Sequence, residues 1–154
     1  MQTQCIQEQM VFQQLGRREV IGRFDGGQIS SDAGGLLLRE VERCFGILRR
    51  FAGCFRDYRD PQRTEHSLKT LIRQRVYGIA LGYEDVNDHD RLRHDVVMGV
   101  LCEKRDPTGT DRARKRDQGK AIAGKSTLNR LELTPEDAHE KSRYKKIVAH
   151  GEQI

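Results

Sequence analysis

Leu68, Leu71, Ile72, Val76 and Ile79 recur at steps of three and four residues, the spacing that stacks side chains on one face of an α-helix. Lys69, Arg73 and Arg75 fall outside that stripe, so the pattern predicts an amphipathic helix over residues 64–81 with a basic outer face. Thr64 offers an N-cap oxygen, Glu65 sits where the helix dipole favours an anion, and Pro61 discourages helix upstream. Gly82 tolerates the left-handed conformation common just past a helix. Earlier in the chain, Leu36, Leu37, Val41, Phe45 and Leu48 predict a second helix, capped from Ser30, Ser31 or Asp32, weakened at its start by Gly34 and Gly35, and followed by a break within residues 49–59. A strand through Val20 and Phe24, a turn at Asp25-Gly26-Gly27 and a return over residues 28–30 predict a small hairpin. Downstream, Ser126 caps a short helix through Leu128, Leu131 and Leu133, and Thr134-Pro135-Glu136 starts another.

The polar pattern is densest at residues 83–90, YEDVNDHD, which hold four carboxylates and one imidazole. Adjacent helical positions point in different directions, so Asp88, His89 and Asp90 do not converge on one ion and no metal site is expected. The simpler reading is a helix start, with Asn87 as cap, Asp88 and Asp90 in the first turn, and Leu92, Val96, Val97 and Val100 as the apolar stripe that follows. A second motif, GKAIAGKS at residues 119–126, satisfies the P-loop pattern to the letter. A P-loop joins a buried strand to a helix, and the charged residues 111–118 cannot supply that strand, so no nucleotide partner is expected.

Composition adds a direction. The chain has 154 residues, one domain's worth, with 36% hydrophobic and 33% charged residues and no Trp, which implies a modest core under a large polar surface. A net charge of +5 favours polyanionic partners. No apolar run is long enough to cross a bilayer, and the opening MQTQCIQEQMVFQQ lacks the order of a signal peptide, so the expected location is cytoplasmic with no membrane partner. Cys5, Cys44, Cys54 and Cys102 show no CxxC spacing and read as reduced thiols, Cys44 and Cys102 in the core. The expected organisation is a poorly ordered segment over 1–17, a hairpin plus helical domain over 18–102, a charged linker or arm over 103–122, and short helices over 123–154. Candidate DNA contacts are Arg73 and Arg75 on the central helix, Arg112, Arg114, Lys115 and Arg116 in the arm, and Lys125 and Arg130 beyond it.

The run QRVYGIALGYEDVNDHDRLRHD at residues 74–95, preceded by RDPQRTEHSL at 59–68, closely resembles the N-terminal region of the group 1 DDE transposases of bacterial insertion sequences. FDGGQISSDAGGLLLREVE at 24–42, GKSTLNRLEL at 124–133 and SRYKKIV at 142–148 extend the resemblance in order along nearly the whole chain. It implies DNA at insertion-sequence ends as a partner, with other transposase subunits as further partners. The chemistry it implies is strand cleavage and transfer by an RNase H-like core whose two Asp and one Glu hold two divalent cations, Mg2+ in the full-length family. In such families the first catalytic Asp follows the SRYKKIV-like block on an apolar strand, and His150-Gly151-Glu152-Gln153-Ile154 offers no such run. The expectation is therefore a truncated N-terminal segment: mostly α, a small N-terminal β-hairpin followed by a helical bundle, lacking the RNase H-like core. No catalytic residue, metal ligand or cofactor is assigned within it. Its role would be DNA binding or packing against the core, with a free-standing DNA-binding regulator of transposition as the alternative. An apolar face over 24–45 left over for an absent core is a further expectation.

Overall fold

Gly16 takes a φ of +63°, which lets the chain reverse tightly between two antiparallel strands, β1 (Met10–Leu15) and β2 (Arg18–Gly22). Met10 pairs with Gly22 and Phe12 with Val20, with an irregularity before Leu15 meets Arg18. A strand therefore lies inside the Gln-rich opening, ahead of Arg18, because alternating Val11, Gln13 and Leu15 can pair with the β-branched run that follows. The computed structural model describes residues 9–23, 25 and 30–150. Residues 1–8 with Cys5, and the Phe24 to Ile29 part of the expected hairpin except Asp25, lie outside the described residues.

Helix α1 (Gly35–Phe45) ends where Gly46 adopts a φ of +63°, and α2 (Ile47–Gly53) starts immediately after it. The Glu42 carboxylate accepts the Leu48 and Arg49 amides at 2.7 and 3.1 Å, so a side chain of α1 caps α2 and fixes the corner. The chain thus breaks first at Gly46 and again, as expected, within residues 49–59, where α2 gives way at Cys54 to a strand. Leu37, Val41 and Phe45 are 62, 46 and 64% exposed, an apolar face left open within the stretch 24–45 where one was expected. The buried side of α1 carries Leu36, Arg39 and Glu42 instead. Arg39 is buried and fully engaged: it donates to Glu103 at 2.8 Å and to the Gln13 and Gln14 carbonyls at 2.8 and 3.2 Å, tying the first hairpin to α1.

Strand β3 (Phe55–Asp57) pairs antiparallel with β4 (Ile147–Ala149), Phe55 opposite Ala149. This ribbon closes the far end of the chain onto α2, and it supplies an apolar strand within the SRYKKIV block itself. Asp60 caps a 3-10 turn at Pro61–Arg63, which moves the start of the central helix to Ser67; its hydroxyl accepts the Thr70 amide, while Thr64 donates to the Asp60 carbonyl. Helix α3 (Leu68–Ala80) follows, and Gly82 turns the chain with a φ of +94°. The polar motif then breaks into a 3-10 turn (Val86–Asp88) capped by Asp85 rather than Asn87, the short α4 (His89–Leu92), and α5 (Val96–Leu101) capped by Asp95.

Helix α6 (Lys125–Glu132) begins after Gly124 with no side-chain cap of its own, so Ser126 is inside the helix. Thr134-Pro135-Glu136 makes a single turn, with the Ala138 amide on the Pro135 carbonyl, and no helix. Residues 103–120 are an irregular loop held against the fold, not a free arm: Asp106 is buried and gathers the amides of Thr108, Thr110 and Asp111 and both Thr hydroxyls. Two apolar clusters form the core. One gathers Leu36, Tyr77, Met98, Leu101 and Ile122; the other gathers Leu71, Ile72, Ala123, Leu128 and Ile147. Helix α3 and the buried triplet Ala121-Ile122-Ala123 contribute to both. Cys102 is buried as expected, whereas Cys44 lies on the exposed side of α1. No described helix is long and apolar enough to cross a membrane.

Candidate nucleic-acid interface

A cleft of about 1000 Å³ opens where the segment after β3, the loop 112–120, helix α6 and the segment before β4 converge. Its cations come from five separate parts of the chain. Arg59 and Arg63 flank the 3-10 turn; Arg112, Arg114, Arg116 and Lys120 come from the loop; Arg130 comes from α6; Arg143 and Lys146 lead into β4. Arg93 completes the set, so ten cationic side chains line the cleft against three carboxylates, Asp60, Glu65 and Asp117. Such one-signed lining focuses a positive potential into the hollow and suits a polyanion.

The cations divide into those spent on the fold and those free to act. Arg59 grips Asp57 with two bonds of 2.8 and 2.7 Å. Arg112 is almost fully buried, 2.8 Å from Glu65 and 3.0 Å from His66 Nε2. A guanidinium only donates, so His66 Nε2 accepts and the ring proton sits on Nδ1, a buried donor with no acceptor among the described residues. Burial first, and then the cations Lys104, Arg112 and Arg59, push the His66 pKa down to about 3, so the ring is neutral at physiological pH. Arg63 and Arg116 make only long contacts with Asp60 and Asp117, at 3.6 and 3.7 Å, and both are largely exposed. Arg114 is exposed, and Arg130 and Arg143 carry no carboxylate partner among the described residues; their guanidinium carbons lie 5.5 and 4.9 Å from the centre of the Tyr144 ring.

Of the residues singled out from sequence, Arg112, Arg114, Arg116 and Arg130 meet in this cleft. The others lie elsewhere. Arg73 faces Glu42 at 3.9 Å in a smaller hollow, and Arg75 binds Glu132 and the carbonyls of Tyr83 and Glu84, tying α3 to α6 and to the polar motif. Lys115 is exposed between two cleft residues without lining it. Lys125 reaches Asp90 at 3.8 Å and the Asn87 side chain at 3.2 Å. Arg59, Arg63, Arg93, Lys120, Arg143 and Lys146 had no distinguishing sequence signal beyond the basic pairs in RDPQR and SRYKK. Arg59 and Arg63 become neighbours of Arg143 and Lys146 because β3 and β4 pair across most of the chain.

The polar motif 83–90 is structural. His89 is buried, and Gln74 donates to its Nδ1 at 3.1 Å while also donating to the Ala123 carbonyl at 2.7 Å and accepting the Ala123 amide at 2.9 Å. Gly78 makes room for the imidazole, since a Cβ there would lie 2.7 Å from His89 Cε1. Asp90 accepts the Lys125 amide at 3.2 Å, so a carboxylate already occupies the start of α6, where a P-loop would hold phosphate. The residues ahead of it form a 3-10 turn and loop, not a strand. Among the described residues no three His, Cys, Asp or Glu side chains cluster to hold a metal ion.

The family model for transposase DDE domain group 1 matches residues 12–152. No curated protein and no solved structure matches the chain.

Proposed function

The chain belongs to the transposase DDE domain group 1 family, and from that premise we propose that it holds insertion-sequence DNA in the basic cleft, binding and positioning the polymer rather than cutting it. The observation that carries this is the convergence of ten cationic side chains from five chain segments on one hollow. A structural role alone does not account for it, because Arg63, Arg114, Arg116, Arg130 and Arg143 add little to the fold from their exposed or unpaired positions. Cations placed this way release counterions when phosphates enter, which makes binding strong at low salt and weak at high salt.

Cleavage and transfer in this family need carboxylates that hold divalent cations. The described residues do not fit that requirement, since no three potential ligands cluster. The role assigned to these residues is therefore recognition of the DNA backbone. Two charge reversals, Arg114→Glu with Arg130→Glu, are expected to weaken binding of a duplex bearing insertion-sequence ends by roughly tenfold or more while leaving the thermal melt unchanged. Unchanged binding by that variant would refute the reading, and so would Mg2+-dependent nicking by the purified chain.

A further inference from the structure

Tyr144 is out of keeping with its surroundings. It is an aromatic ring in a cleft otherwise lined mostly by charge, it is 55% exposed, and its hydroxyl makes no hydrogen bond among the described residues. The ring belongs to neither apolar cluster, so the fold does not require it. Its position is nonetheless held, because the backbone just beyond it is fixed by the Tyr58 amide on the Lys146 carbonyl and by the pairing of β4 with β3. Arg143 and Arg130 stand 4.9 and 5.5 Å from the ring centre, close enough to be attracted by its π face yet leaving more than half of the residue open.

A half-exposed aromatic ring beside two guanidinium groups without carboxylate partners among the described residues, inside a cationic cleft, matches the requirements of one ligand. A base stacked on the ring gains from the apolar contact, and the arginines meet the phosphates on its flanks. Bases inside a duplex have both faces covered by their neighbours, so only an unpaired or unstacked nucleotide can use such a ring. Resting on the DNA-binding reading above, we propose that Tyr144 is a stacking platform for an unpaired nucleotide, and that the cleft takes DNA at a single-stranded or distorted position.

Tyr58 provides an internal control, since it also has an arginine over its ring, Arg56 at 5.0 Å, but does not line the cleft. Fluorescence anisotropy would compare a blunt duplex, a forked duplex and a single strand of the same length, for the parent chain, Tyr144→Ala, Tyr144→Phe and Tyr58→Ala. Tyr144→Ala should lose roughly 5- to 100-fold in affinity for forked and single-stranded DNA and less than about twofold for the blunt duplex. Tyr144→Phe and Tyr58→Ala should match the parent. Because the chain contains no Trp, tyrosine fluorescence reports the contact directly: the single strand should quench it, and Tyr144→Ala should remove part of that quenching. Equal losses on all three DNAs, no loss on any, or a loss in Tyr144→Phe as large as in Tyr144→Ala would overturn the platform. If the parent binds duplex in a salt-dependent way while Tyr144→Ala is neutral, the platform alone fails. If the parent binds none of the three, the DNA-binding reading fails with it.

Discussion

Replacing Gln74 by Leu tests how the cleft is held in place. Gln74 is fully buried, and its amide serves three partners: the Ala123 carbonyl at 2.7 Å, the Ala123 amide at 2.9 Å and His89 Nδ1 at 3.1 Å. Leu has a similar volume, so little cavity forms, but all three partners lose their bond. Each orphaned buried group costs about 1–3 kcal/mol, and the extra apolar burial of Leu returns about 1–2 kcal/mol in total. The net loss should be about 1–8 kcal/mol, centred near 4–5, a large share of the ~5–15 kcal/mol that holds an ordinary domain together. Urea denaturation followed by far-UV circular dichroism measures it; with a slope of about 1–3 kcal/mol/M, the midpoint should fall by roughly 1 M or more. Adding His89→Leu to Gln74→Leu should be less harmful than the sum of the two, by about 1 kcal/mol, because one orphan disappears with its partner. A midpoint shift under about 0.3 M for Gln74→Leu, or strict additivity in the cycle, would refute the claim that this amide joins α3, the polar motif and the entry to α6.

Other consequences follow from the same contacts. His66 has its pKa pushed down to about 3 from 6.5, and burial also lowers that of His89. The unfolded chain therefore takes up the protons first: the contribution of these groups is complete above pH 6.5 and falls as the pH drops below it, by about 1.4 kcal/mol per pH unit for His66 down to about pH 3, with His89 acting in the same direction. Thermal melts from neutral to acidic pH should show this fall, and His66→Gln should flatten it; a melt independent of pH over that window would contradict it. Asp106→Ala removes the acceptor that organises the loop, so tryptic cleavage at Arg112, Arg114 or Arg116 should quicken and stability drop by about 2–4 kcal/mol. A Cβ on Gly99 would sit 2.5 Å from the Pro107 carbonyl oxygen, whereas one on Gly53 meets nothing within 4 Å. Gly99→Ala should thus cost about 1–3 kcal/mol, and Gly53→Ala, at the end of α2, should be neutral or stabilising by up to about 1 kcal/mol in the same melts.

Much of this architecture was legible in the sequence, and the misreadings have physical causes. The stripe through Leu71 and Ile72 identified α3 because an apolar face and a helical period coincide there. In α1 the same period named the helix but not its inward face, which is built from Leu36, Arg39 and Glu42, the two charges satisfied by Glu103 and by the amides that open α2. Thr64 looked like a cap until Asp60 and Pro61 formed their own turn ahead of Ser67. Charge alone made residues 103–120 resemble an arm, because the Asp106 hydrogen bonds that fold the loop back leave no apolar signature. The cleft shows the sharpest contrast. Arg112, Arg114, Arg116 and Arg130 were visible as basic residues, but Arg59 and Arg143 join them only through the pairing of two three-residue strands too short to announce themselves.

The salt dependence of DNA binding tests the central claim most directly. Equilibrium binding of an insertion-sequence-end duplex, measured over a series of salt concentrations, should give a slope of log K against log salt of about −4 or steeper, because at least five exposed or unpaired cations of the cleft meet phosphates. Arg114→Glu with Arg130→Glu should make that slope shallower by about 2 units. A slope near zero, or one that this variant leaves unchanged, would contradict the assignment of the basic cleft as the DNA site.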